Sequence, residues 1–471
     1  MTYEPTIGLE IHAELCTTTK MFCNSKNDSD EKIPNVNICP VCMAHPGVLP
    51  TINKEAIRQV LRVGLSVNGN LADYSEFDRK NYFYPDIPKA YQLSQYEFPL
   101  VSGGSLLGVG LTRIHLEEDT ARSSHTSDTT QSFVDFNRAG VPLMELVTEP
   151  EIHSAKQAGA FARELQLLLR TLGASHAHME KGEMRVEVNI SLARNKDELG
   201  TKVEVKNLNS FRAVERAIAF EIDRQSKLLD AGEKVVQETR GWDENKNGTF
   251  SQRLKEEEAD YRYFPDPDLP KLKLSEEDEF SVEVLSQTIP ELPWDRRDRL
   301  TATLGLRADD AEMYVIDDKL HQLLMSTIEH LEPSDYTLAS NYISNNLVAV
   351  SVPAGSHVSD NVNSKELATV IELASTGDIS SNGAVELIAY VAHGGIHVLQ
   401  EAEKRGLIQQ NDDAALKQLV DTILSENSDV AAEFKSGKEQ ALQFLVGQGM
   451  RVSNGSANPE KVKEMLRKEL S

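Results

Sequence analysis

The chain has 471 residues, with 74 Asp and Glu against 49 Lys and Arg, for a formal charge of −25. That length is too great for one compact core, so two or three domains are expected, and no apolar run approaches the ~20 residues of a membrane-spanning helix. So large an acidic excess excludes broad, non-specific attraction to nucleic acid, while leaving room for one that docks on a local basic patch. The opening Met1-Thr2-Tyr3-Glu4-Pro5 has neither a basic stretch nor a long apolar one, so the expected compartment is the cytoplasm.

The first element in chain order is a strand. Gly8-Leu9-Glu10-Ile11-His12-Ala13-Glu14 alternates apolar and polar residues, and successive strand side chains point to opposite faces. Leu9, Ile11 and Ala13 therefore pack inward while Glu10 and His12 face out. The four cysteines, Cys16, Cys23, Cys39 and Cys42, follow close together. Cys39-Pro40-Val41-Cys42 is a C-x-x-C knuckle that Cys16 and Cys23 could complete into a tetrahedral zinc site within a 16–42 insert. The competing readings are buried free thiols and a redox pair, the latter weakened because no βαβ pattern surrounds it.

Asp78-Arg79-Lys80-Asn81-Tyr82-Phe83-Tyr84-Pro85-Asp86 sets cations, amides and aromatics in a proline-pinned loop. Such a loop can clamp phosphate through Arg79 and Lys80 and stack a base on a ring; otherwise it is a rigid surface loop anchored by its aromatics. Arg113-Ile114-His115-Leu116-Glu117-Glu118-Asp119 ends a strand on adjacent carboxylates, which repel unless a cation neutralises them; a solvated acidic turn is the alternative. Strict alternation sets Glu117 with Arg113 and His115, and Glu118 with Ile114. Spacing alone does not decide which glutamate enters a site.

Ser154 caps an expected helix that stops at Gly173, with Ala158, Phe161, Ala162, Leu165, Leu168, Leu169 and Leu172 on one stripe. Two further alternating strands follow, at 185–191 and 202–207. Their Val186, Val188, Ile190, Val203 and Val205 pack inward, and their Glu187, Asn189, Glu204 and Lys206 face out. Three strand faces rich in oxygen donors suit a hard cation such as Mg²⁺ better than an ordinary wet face. A second helix starts near Ser210 and stops at Gly232, both helices covering the apolar side of the sheet. Residues 243–249 read as a turn-rich hairpin or loop, and 260–268 repeats the aromatic, proline-rich theme of 78–86. Residues 1 to about 288 thus read as α+β.

The prolines of 290–293 mark a boundary, beyond which the pattern is helical. Helices are expected from a Ser364 cap to Gly377, from 412 to 424, from 436 to 445, and after Pro459, with a small-residue connection over 447–458. No glycine-rich phosphate loop and no Gly-x-Ser-x-Gly elbow occurs, so a nucleotide must be held through metal and side chains. The chemistry that remains is metal-assisted transfer, with Lys or Arg neutralising phosphate.

Ile7-Gly8-Leu9-Glu10-Ile11-His12-Ala13-Glu14-Leu15, the 78–86 loop, Leu116-Glu117-Glu118-Asp119, Val205-Lys206-Asn207-Leu208-Asn209-Ser210-Phe211 and Asp260-Tyr261-Arg262-Tyr263-Phe264-Pro265-Asp266 occur in order. Together with Gly455-Ser456-Ala457-Asn458-Pro459 they resemble the B-subunit family of aspartyl/glutamyl-tRNA amidotransferases over nearly the whole chain. The resemblance implies a curved, mainly antiparallel cradle domain similar to glutamine synthetase and guanidino kinases (1–288), an all-helical domain (289–407) and a helical tail domain meeting tRNA (408–471). It implies ATP- and Mg²⁺-dependent phosphorylation of the side-chain carboxylate of Glu-tRNA(Gln) or Asp-tRNA(Asn), then amidation with ammonia from an amidase A subunit, in a heterotrimer completed by a small C subunit.

Carried over by position, Glu10, His12, Glu118, Glu145, Glu187 and Glu204 form the catalytic set, and Glu10, His12, Glu118, Glu145 and Glu204 the Mg²⁺ ligands. Arg79, Lys80, Lys206 and Asn207 are the candidates for holding the nucleotide. The resemblance thus favours Glu118 over Glu117. Ser25 stands where many members have a zinc-ligating cysteine, and Arg122 where they have lysine. A non-catalytic, zinc-stabilised tRNA-binding scaffold is the alternative function.

Overall fold

The computed structural model describes residues 3–125, 131–195, 198–254, 261–409, 413–453 and 457–470. The chain divides into two compact units, 1–293 and 294–471. The first is mixed α and β, and the second is helical. Among the described residues, no helix is long and apolar enough to cross a membrane.

The first unit is built on a ten-stranded sheet. Its long strands are β1 (Glu4–Glu14), β2 (Val109–Glu118), β3 (Pro142–Thr148), β4 (Met184–Ala193), β5 (Val203–Leu208), β6 (Glu238–Asp243) and β7 (Gly248–Leu254). They lie in the order β7-β6-β5-β4-β1-β3-β2, and only the β5–β6 pairing is parallel. The short strands Val101–Ser102 and Asn70–Leu71 continue the sheet beyond β2. The expected alternation holds: Leu9, Ile11, Ala13, Val186, Val188, Ile190, Val203 and Val205 are all buried.

That apolar face is covered by α1 (Lys54–Ser66) on β2 and α3 (Phe211–Asp230) on β4 and β5, with α2 (Ala155–Thr171) packed against α3. Ser154 and Ser210 cap α2 and α3 by accepting hydrogen bonds from Gln157 and Ala213 backbone N–H groups at 3.1 and 3.0 Å. Such caps satisfy amides that the helix itself leaves without partners. Helix α1 did not stand out in the sequence. It approaches the sheet at Gly64, where an added Cβ would lie 2.4 Å from a Val101 methyl carbon. The turn over 244–247 joins β6 and β7 as a hairpin, with Asp243 accepting from the N–H groups of Asn245 and Lys246.

At the expected boundary, Pro293 does not end regular structure but opens a helix, Pro293–Asp298, as a residue with no N–H to satisfy can at a helix start. Asn363, not Ser364, caps Ser364–Ser375. The tail differs more. Ser428–Lys435 is helical, Ser436 closes that helix, and the next runs over Glu439–Val452, through the stretch expected to be a connection. Its Gly449 faces Ile423 and Val462, and a Cβ there would sit only 3.0 and 3.2 Å from them. Close packing there leaves room for a glycine and little more. Leu416, Val420, Ile423, Leu442, Leu445, Val462 and Leu466 form a hydrophobic cluster of their own, closed by Pro459–Leu470. Asp260, Asp412 and Asn454-Gly455-Ser456 lie outside the described residues.

Candidate active site

Residues directly opposite on adjacent strands share a face. The register sets Arg185, His12, Glu145 and His115 in one row across β4, β1, β3 and β2, and Glu187, Glu10, Val147 and Arg113 in the next. Both rows lie on the face away from the helices. His12 Nε2 is 3.2 Å from Glu145 Oε2 and 4.0 Å from Glu117 Oε2. His115 Nε2 lies 3.5 and 3.6 Å from the carboxylates of Glu117 and Glu145, and Arg113 reaches Glu145 at 3.5 Å. Glu117 is fixed from the short strand Tyr91–Ser94, by Gln92 Nε2 at 2.9 Å and Ser94 Oγ at 2.6 Å. Lys80 Nζ faces it at 3.7 Å from the neighbouring strand Asp78–Asn81.

The second half of the cluster comes from β4 and β5. Lys206 Nζ is 2.7 Å from Glu187 and 3.7 Å from Glu204, and Thr239 Oγ1 donates to Glu204 at 2.6 Å. Lys206 takes that position because the β4–β5 register shifts between Val186 and Val188. Asn207 occupies the extra place with φ +66° and bonds its side chain to the Trp242 carbonyl. A β-bulge re-aims neighbouring side chains in this way.

Burial governs the charges. Burial, the Glu145 carboxylate and Glu187 push Glu10 up to about 7, against the opposing pull of His12 and Lys206. Burial alone would lower His12, but its hydrogen bond to Glu145 and the charges of Glu145 and Glu117 raise it to about 9. Glu117 runs the other way: although burial opposes it, Lys80, His115 and His12 hold its carboxyl well below the usual range. Groups pushed apart in this manner are what a site that handles charge requires. The ligand atoms of Glu10, His12 and Glu145 lie within 4.8 Å of one another, as do those of His115, Glu117 and Glu145. Either set fits a hard divalent cation in its donor chemistry.

The structure brings together Glu10, His12, Glu145, Glu187, Glu204, Lys80 and Lys206. It does not bring Glu118, Arg79 or Asn207 to them. Glu118 follows Glu117 on β2 and so points to the opposite side, where it accepts the Leu93 N–H at 2.9 Å and pairs with Lys89. There it lines a cavity of about 220 Å³ with Phe22, Cys23 and Cys42. Arg79 precedes Lys80 on a strand and turns away to Asp266 at 2.6 Å, with its guanidinium over Tyr91. Glu117, His115 and Arg113 are the cluster members that the positional carry-over omitted. Strict alternation along 113–118 was the signal for them.

Among the cysteines, Cys23, Cys39 and Cys42 converge, with ligand atoms within 4.8 Å. Cys16 is not among them: it lines a separate cavity with Glu14, His176 and Glu183. Cys42 is held down to about 4 by its hydrogen bond with Cys23 and by the ammonium of Lys20, 3.9 Å away. Three converging thiols suit a soft cation such as Zn²⁺.

Fold and site define a mixed α+β protein whose sheet carries an acidic, imidazole-bearing centre flanked by lysines, joined to a helical region. Residues 5–279 match the family described as GatB/GatE catalytic domain, and residues 323–470 that described as GatB domain. The chain is 41% identical over 486 residues to the B subunit of the aspartyl/glutamyl-tRNA(Asn/Gln) amidotransferase of Thermomicrobium roseum, covering 100% of this chain and 99% of the relative. To the protein of the same name from Crocosphaera subtropica it is 38% identical over 490 residues (100% and 98%), and to that from Brevibacillus brevis 39% over 485 residues (100% and 99%). The chain belongs to the family of aspartyl/glutamyl-tRNA(Asn/Gln) amidotransferase B subunits.

Proposed function

We propose that this chain is the ATP-using subunit of a cytoplasmic tRNA-dependent amidotransferase, partnered by an amidase A subunit and a small C subunit. The side-chain carboxylate of Glu-tRNA(Gln) or Asp-tRNA(Asn) takes the terminal phosphoryl group of ATP, releasing ADP. Ammonia from glutamine, freed on the amidase subunit, then displaces phosphate and leaves the amide. The observation that carries this reading is the acid–imidazole cluster with a lysine at each side, in a chain whose residues 5–279 match the family's catalytic domain. A tRNA-binding scaffold would present cations on this face instead.

Glu10, His12 and Glu145 are the proposed Mg²⁺ ligands, with Glu117 and His115 beside them, and the ion would supply positive charge to phosphate oxygens. Lys80 and Lys206 meet phosphate from opposite sides of the cluster. Glu117, fixed by Gln92 and Ser94, aims Lys80, while Glu187 and Glu204 aim Lys206. Without metal, His12 Nε2 faces Glu145 at 3.2 Å, and the imidazole would have to give up its proton to serve as a ligand. Glu118, Arg79 and Asn207 act as struts on the surrounding loops and strands. Cys23, Cys39 and Cys42 would hold a structural Zn²⁺.

We further assign 1–288 to a cradle of the glutamine synthetase and guanidino kinase kind, 289–407 to a helical domain and 408–471 to a tRNA-contacting tail. The tail's separate hydrophobic cluster supports the last division. The test is ADP formation by the reconstituted complex. It should require Glu-tRNA(Gln) or Asp-tRNA(Asn) and fall at least a hundredfold in Glu145→Gln. ADP formation indifferent to mischarged tRNA and to that change would defeat the assignment.

A further inference from the structure

The two proline-rich loops, far apart in sequence, meet beside Lys80. Phe264 and Pro265 pair with Arg79 and Asp78, and the Asn81 side chain donates to the carbonyls of Tyr261 and Arg262 at 3.2 and 2.8 Å. This strapping holds Arg262 at φ +46°, a conformation a non-glycine residue adopts only when its surroundings impose it. The outcome is a continuous run of tyrosine rings. Tyr84 meets Tyr82 at 6.2 Å between centroids, Tyr82 meets Tyr261 at 5.9 Å, Tyr261 meets Tyr263 at 6.1 Å, and Tyr263 stacks on Tyr96 at 4.3 Å. Both ends of the run are open to solvent, Tyr84 at 65% and Tyr96 at 60% exposure. Its middle touches the chemistry: Lys80 Nζ lies 5.3 Å from the Tyr261 ring centre, and Tyr82 Oη donates to Gln92, which in turn holds Glu117.

Core packing does not explain exposed tyrosines at both ends of such a run. Aromatic side chains beside a cation are how proteins hold unpaired bases, one ring to a base, with little regard to sequence. We infer that Tyr82, Tyr84, Tyr96, Tyr261 and Tyr263 form a stacking platform for the unpaired 3′-terminal bases of aminoacyl-tRNA, setting the esterified amino acid toward Lys80 and Glu117. This rests on the proposed function and adds where the acceptor end lies. The adenine of ATP is the lesser candidate, because one base would use one ring and leave the rest of the run without a role.

The test uses the whole complex and tRNA carrying 2-aminopurine in the unpaired bases that precede its 3′-terminal nucleotide, which would lie outward from Lys80 along the run. Binding should quench the fluorophore in the unmodified complex and in the Tyr84→Phe/Tyr96→Phe variant, which keeps both rings. In Tyr84→Ala/Tyr96→Ala the quench should be largely lost and KM for mischarged tRNA should rise roughly tenfold or more. Quench and KM both unchanged in the alanine variant would overturn the inference while leaving the proposed function standing. So would a rise confined to the KM for ATP, which would assign the platform to the nucleotide. Failure of the unmodified complex to bind tRNA by fluorescence anisotropy would instead remove the function beneath it.

Discussion

Replacing Lys80 by methionine keeps most of the length of the side chain and removes an ammonium 3.7 Å from Glu117. At that separation two unit charges attract by about 4 kcal/mol at an effective dielectric near 20. Part of that is offset by the cost of taking both groups from water. Lys80 keeps a fifth of its side chain exposed while Glu117 has almost none, so the net destabilisation is expected at about 2–3 kcal/mol, below the usual range for a fully buried pair broken on one side. Because the folded Glu117 carboxyl is held below its unfolded value, chiefly by Lys80 working against burial, its contribution is present above the unfolded pKa and lost as pH falls. The melting deficit of Lys80→Met should therefore be full at pH 7 and shrink below about pH 4. If Lys80 also neutralises the transferred phosphoryl group, tRNA-dependent ADP formation should drop by about 10²–10³, with partial rescue in Lys80→Arg. A variant that melts lower but forms ADP within about threefold of the parent rate would show a counter-ion to Glu117 and nothing more, and would refute the phosphate role.

Glu117→Gln should cost more tRNA-dependent ADP formation than Glu118→Gln; the reverse order would place the working glutamate on the Lys89 side of β2. Since Glu10 sits near 7 and His12 near 9, Mg²⁺ must displace protons from both. Titration calorimetry in buffers of different ionisation enthalpy should find between one and two protons released at pH 7 and tighter binding as pH rises from 6 to 8; no proton release would mean the ion binds elsewhere. Metal analysis should give about one equivalent of zinc that Cys39→Ser removes and Cys16→Ser leaves. Zinc in neither protein, or loss in both, would reject the three-thiol site.

The period-two strands and the capped helices α2 and α3 were legible because each is a local rule: alternation, a serine at the start, a glycine past the end. Helix α1 carried the same kind of signal, with Asn53 as its cap and Ala56, Ile57, Val60, Leu61 and Gly64 at helical spacing opposite Arg58 and Arg62; only its β-branched residues and Gly64 weigh against it in intrinsic propensity. The site was legible residue by residue but not in register. Nothing local says that His12 lies opposite Glu145 on one side and Arg185 on the other, 133 and 173 positions away in the chain. At Glu117 and Glu118 strand alternation and the family resemblance point to different residues. Alternation set Glu117 with His115, and the strand runs unbroken through Glu118, so no bulge exchanges them. Cys16 was a plausible fourth thiol on proximity in sequence alone; the turn of chain after β1 carries it to the Ala174 carbonyl instead.

The charges in this cluster also explain one another. Glu10, Glu117, Glu145, Glu187 and Glu204 face Lys80, Lys206 and Arg113, while Arg185 beside His12 is engaged by Asp119, so carboxylates outnumber the cations that face them in a setting where uncompensated charge is costly. The deficit is met by protons. His12 keeps one that an exposed imidazole would have lost by pH 7, and Glu10 holds on to another far above the ordinary carboxyl range. Two bound protons carry the same charge as one divalent cation, and the two groups that hold them are neighbours on β1 that share Glu145. A site balanced in this way offsets most of the charge of an entering Mg²⁺ by releasing protons, so the ion's entry depends on pH as well as on ligand geometry.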